Sequence, residues 1–173
     1  MNNPRFLFVI FLLFLISCRS DATSQQQQHS NFTKSLASRP YTGTAKSVLH
    51  LHGHKSLPSV KGTGSFSLAS SKGTSATIAL ICKLDSGDGF SFAMPGTQQG
   101  NAWTAVAKAG TFAIAQNGAM TGKYTNATQE ISWKGRLFDD RIMLDVKITY
   151  LKTQDKITKG SIIATHLDLY RTA

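Results

Sequence analysis

Between residues 142 and 150 apolar and polar side chains alternate without a break. Ile142, Leu144, Val146, Ile148 and Tyr150 share one face, and Met143, Asp145, Lys147 and Thr149 the other. A period of two marks a strand with one buried face, because successive side chains of an extended chain point to opposite sides. The alternation recurs in Ile131, Trp133, Gly135 and Leu137 against Ser132, Lys134 and Arg136. It recurs again in Phe90, Phe92 and Met94 against Ser91 and Ala93, and in Phe66 and Leu68 against Ser65 and Ser67. Helical spacing fits none of these as well. The separators have turn chemistry: Asn117-Gly118 lies between 111–116 and 119–125, where a tight hairpin needs residues tolerant of positive φ. Ser86-Gly87-Asp88-Gly89 and Asp139-Asp140 lie between further strand pairs. The pattern predicts an all-β domain, an antiparallel meander of about 8–9 strands closed as a small barrel, with a β-sandwich as the alternative.

Closure turns Phe66, Phe90, Phe92, Phe112, Ile114, Tyr124, Trp133 and Ile148 inward. In a small barrel such side chains fill the core, and about eight strands leave room for one small ligand. Phe90, Phe92, Tyr124 and Trp133 are therefore the candidate ligand-binding residues. The segment Gly118-Ala119-Met120-Thr121-Gly122-Lys123-Tyr124 resembles a strand-turn stretch of avidin-like, lipocalin-like and other small up-and-down barrels. The resemblance implies the barrel alone. No biotin-binding residue carries over, because the tryptophan-rich pattern of the avidins is missing, with only Trp103 and Trp133 present.

Val48-Leu49-His50-Leu51-His52-Gly53-His54 is the most pointed chemical motif. On a strand, His50, His52 and His54 share one face, with alternate residues about 7 Å apart, within reach of a shared transition metal. The last apolar stretch, 161–170, places His166, Asp168 and Tyr170 on its polar face. If the first strand pairs with it, His166 and Asp168 come beside His50 and His52. That gives His50, His52 and His166 as a candidate metal or haem site, set against a merely solvated polar face.

The chain opens differently. Arg5 is followed by the unbroken apolar run Phe6–Ile16. Eleven helical residues rise only about 16 Å, roughly half of a bilayer's hydrocarbon core, which suits a signal peptide and not a membrane span. Leu15-Ile16-Ser17-Cys18 resembles the bacterial lipobox. That resemblance implies cleavage before Cys18 and acyl chains on its sulfur and new amino terminus. In that family an Asp directly after the Cys favours the inner membrane, so Arg19 at that position implies, by the same resemblance, the outer membrane in a Gram-negative organism. The alternative is a secretory peptide cut near Ala22, which leaves a soluble product with Asn31 and Asn126 in glycosylation sequons. Residues 19 to about 43 are rich in Gln, Ser and Thr and nearly free of apolar residues, the composition of a tether. The expected organisation is a signal peptide over 1–17, a lipidated Cys18 with a tether to 43, and a barrel over 44–173.

Lys and Arg outnumber Asp and Glu by 19 to 9, for a net charge of +10. Such a surface favours anionic envelope lipids or polymers, although the basic residues are spread along the chain and nucleic acid is not expected. Cys82, in the apolar stretch Ile78–Cys82, is the one cysteine besides Cys18, so a lipidated chain has no intramolecular disulfide and relies on burial. No Gly-x-Ser-x-Gly elbow, His-Glu-x-x-His helix or phosphate loop occurs. Gly62-Thr63-Gly64 reads as a bulge or bend between strands. Glu130 is the only glutamate, and most aspartates lie in turn-like stretches. These features predict a lipid-anchored envelope module without enzymatic activity and without an obligatory cofactor, binding a small hydrophobic molecule or an anionic envelope component. A secreted protein-interaction or inhibitor module is the alternative.

Overall fold

The computed structural model describes Leu36 and residues 39–72, 74–100, 102–154 and 157–171. The leader, Cys18, Ala22, Asn31 and most of the expected tether lie outside the described residues. Ten strands follow one another: β1 (Tyr41–His50), β2 (Val60–Lys72), β3 (Ser75–Leu84), β4 (Gly89–Gln99), β5 (Ala102–Ala107), β6 (Gly110–Ile114), β7 (Ala119–Thr125), β8 (Gln129–Leu137), β9 (Arg141–Tyr150) and β10 (Ile162–Arg171). Each pairs antiparallel with its chain neighbours, and β1 pairs with β10, so the meander is a closed barrel. The all-β barrel is as the alternation predicts, with one strand more than the upper expectation because the short β5 and β6 carry too few residues to show a period.

Every strand keeps its pleat. Tyr41, Ala45 and Ser47 of β1, Ile142, Leu144, Val146 and Ile148 of β9, and Thr165, Leu167 and Leu169 of β10 point inward and are buried. The domain starts slightly earlier than the composition suggests. β1 begins at Tyr41, and Leu36 is already packed into the core.

One end of the barrel is plugged. The Tyr41 ring is buried, and its hydroxyl donates to the carbonyl of Asp139 at 3.0 Å in the β8–β9 turn. Arg171, at the end of β10, donates to the same hydroxyl at 2.6 Å and stacks over the ring at 5.1 Å. Burial pushes the Tyr41 hydroxyl above its ordinary range, so it stays protonated and able to donate at neutral pH. Gly62 and Gly64 lie within β2, not between strands, and the irregularity of that strand falls at Leu68/Ser70. A side chain at Gly64 would collide with Leu167 and Leu169 of the closing strand, so the glycine makes room for the core.

Candidate functional site

The opposite end is where the packing stops. There β1, β3, β5, β7 and β9 finish and β2, β4, β6, β8 and β10 begin, and the connecting loops form a rim. Inside that rim lies a cavity of about 210 Å³. Its walls are Phe90 and Phe92 of β4, Leu84 of β3, Ile131 of β8, Ile148 and Tyr150 of β9, and Ile163 of β10. Polar groups come from Ser47, Thr165, Gln129 and Asp88. Ser47 and Thr165 are both buried, and their hydroxyls hydrogen-bond to each other at 3.0 Å across the β1–β10 seam. That single bond uses one of two hydroxyl protons, so the pair retains a donor for an acceptor inside the cavity. Phe90 and Phe92 stack with ring centroids 5.1 Å apart.

Of the four aromatic candidates, Phe90 and Phe92 line the cavity and Tyr124 and Trp133 do not. Trp133 is buried deeper on the inner face of β8, edge-on to Phe112 at 4.4 Å, and its indole N–H has no hydrogen-bond partner among the described residues. Tyr124 is half-buried against the core from β7. The eight positions expected to turn inward all belong to the core or pack against it.

The histidines do not converge. β1 and β10 do pair, but the register sets His50 opposite Ile162 and His166 opposite Lys46. Four residues along β10 separate the two positions by about 13 Å. His50 is hydrogen-bonded to Ser56 at 2.6 Å instead, and His166 to Asp145 at 2.7 Å on the outer surface. His52 has left the strand, and its backbone N–H donates to Ser161. Asp168 is held by Arg141 in a two-pronged ion pair at 2.7 and 2.8 Å, which lowers its carboxyl below the usual carboxylate range. Among the described residues no three His, Cys, Asp or Glu side chains come together as a metal-binding group. Strand pairing was foreseeable from closure, but the register that separates the rings was not.

No family model and no curated protein matches the chain. Solved structures do. An S-type phycobiliprotein lyase from Guillardia theta superposes with a TM-score of 0.54 over 90% of this chain and 98% of that one, at 10% sequence identity. At that identity the likeness is one of fold. It also corrects the expectation of a domain without enzymatic activity, which rested on missing motifs: a barrel of this architecture serves a protein named as a lyase, so the absence of familiar signatures excludes nothing here.

Proposed function

We propose that the protein binds a small hydrophobic molecule in the cavity at the open end of the barrel. The observation that carries this reading is the lining: stacked Phe90 and Phe92 share the cavity with Ile131, Ile148 and Ile163, and one buried hydroxyl pair can orient a ligand. Apolar walls with a few convergent polar groups are what small-molecule sites use. An apolar cavity of about 150 Å³ holds benzene, so this one suits a molecule of one or two rings, or the end of a larger one. A ligand acceptor such as a carbonyl or carboxylate fits the Ser47–Thr165 pair. Among the described residues of the rim loops Lys55, Lys108, Lys152 and Lys159 outnumber Asp85 and Asp88 and favour a ligand with an anionic group. Binding is a step that a lyase on this fold would need as well.

The test is titration calorimetry of the full chain with indole as probe. Wild type is expected to bind it, and Ile148→Trp, which fills the cavity from β9, to weaken binding at least tenfold without lowering Tm. Failure of wild type to bind indole at millimolar concentration would reject the cavity as a ligand site.

We further propose that Cys18 carries acyl chains and holds the domain at a bacterial outer membrane. The apolar run Phe6–Ile16 ending in Leu15-Ile16-Ser17-Cys18 supports this. β1 starts at the plugged end, so the tether would join the barrel at the end opposite the cavity mouth. Intact mass of the protein from its native host is expected to show a chain starting at Cys18 with added acyl mass. An unmodified chain starting near Thr23 would sink the anchor.

A further inference from the structure

The barrel wall is not evenly closed. β4 is eleven residues long and is paired with β3 from Gly89 to Thr97. On its other side, its ladder with β5 covers only Thr97↔Thr104, Gln98↔Trp103 and Gln99↔Ala102. Above Thr97, the edge of β4 toward β5 has no ladder partner among the described residues, although β5 continues to Ala107. The cause lies in the sequence. Gln98 donates its N–H to Thr74, on the β3 side. Backbone groups alternate along a strand, so those of Ser91, Ala93, Pro95, Thr97 and Gln99 point toward β5. Continuing the register sets Pro95 opposite Val106, and proline has no N–H to give. The ladder ends where its next donor is missing. Ser91 and Ala93 then face the gap with their backbone groups.

The inner face reports the same opening. Inward residues of β9 and β10 such as Leu144, Val146, Leu167 and Leu169 are buried, whereas Phe90 and Phe92 of β4, which borders the gap, are only partly buried. On the other side of the gap Ala107, in register with the inward Trp103 and Ala105 of β5, is exposed. Phe90 and Phe92 belong to the strand that borders the gap and also line the cavity.

We infer that this slit between β4 and the β5–β6 hairpin is a side portal, and that the ligand is a flat, conjugated or multi-ring molecule larger than the cavity. One end would occupy the cavity and the rest lie across the Phe90–Phe92 stack into the slit. The inference rests on the cavity reading above and names the shape of what enters. Three features select a flat small molecule. The slit is a wedge, still paired at Thr97–Gln99, so it cannot open to the two strand spacings, about 9.6 Å, that an added strand needs. A flat molecule entering edge-on needs van der Waals contact on each face, about 7–8 Å from wall to wall, less than an added strand needs. The Phe90 and Phe92 rings on the β4 side of the gap offer stacking and edge contacts. The backbone groups of Ser91 and Ala93 on this side, without a ladder partner among the described residues, suit carbonyls or ring N–H groups along the edge of the molecule.

Two probes separate this from the cavity itself. Indole is small enough for the cavity alone; the fluorescent dye pyrene sulfonate, with four fused coplanar rings, is flat and too large for it. Pro95→Val restores the missing donor and is expected to extend the β4–β5 ladder, while Ala107→Trp plugs the slit without touching Pro95. Both variants are expected to weaken dye binding at least tenfold and to leave indole affinity within twofold. Unchanged dye binding in both folded variants, with indole still displaced by Ile148→Trp, would overturn the portal and leave the cavity reading intact. Equal loss of dye and indole in the slit variants would also overturn it, because the slit would then belong to one undivided cavity.

Discussion

Gly43→Ala is expected to destabilise the folded protein by about 3 kcal/mol, at the upper end of what an overpacked core position costs. Gly43 is on the inner face of β1, opposite Leu169 of β10 and Gly64 of β2. A Cβ there would overlap the carbonyl oxygen of Asp168 and lie 2.9 Å from the Cα of Leu169. Both obstacles are backbone, so no rotamer change relieves them and the strands at the seam must move apart. That seam is the one pairing that closes the barrel. Gly53→Ala is the control. Gly53 sits in the β1–β2 loop at φ 76° with nothing near its would-be Cβ, so alanine there meets only left-handed backbone strain, about 1 kcal/mol. Denaturant unfolding of the two variants is the measurement. Equal losses would mean that the seam has slack and that the close approach of β1 to β10 is not what Gly43 serves.

The strands and their inward faces were legible because one buried face writes a period of two into the chain, as 142–150 shows most plainly. Closure was legible only as an expectation, since nothing local in 41–50 names 162–171 as its partner. The histidine motif shows where that limit falls. His50 and His166 lie on paired strands and on one face, yet a register difference of four residues keeps them apart. Register between the first and last strands follows from the shear of the whole barrel, not from either segment. The cavity was illegible for a different reason. Phe90 and Phe92 were recognisable as inward, but whether inward side chains fill the space is a matter of summed volumes at each level. Pro95 was the overlooked signal: a proline inside a strand pattern points to an unpaired edge, and this one marks where the wall opens.

Trp103 holds the foot of that opening, and Trp103→Ala is expected to cost about 3–5 kcal/mol. The indole rises from β5 and is 1% exposed. It crosses Gly96 of β4, where a Cβ would lie 2.5 Å from its Cε2, and donates its N–H to the carbonyl of Ala76 on β3 at 2.9 Å. One side chain thus pins three strands at the level where the β4–β5 ladder is only three pairs long. Trp103→Phe keeps most of the ring but loses the buried hydrogen bond, so about 1–3 kcal/mol is expected. The local signature matters more than the total. The amides of Thr97 and Gln99 point to β5, and that of Gln98 to Thr74. In Trp103→Phe, Thr97 and Gln99 are expected to exchange with solvent faster while Gln98 keeps its protection, because the wedge lengthens downward and the β3–β4 ladder stays whole. Uniform acceleration across all three amides would mean that Trp103 supports the barrel as a whole. The foot of the slit would then be set by Pro95 and the short ladder without help from the indole.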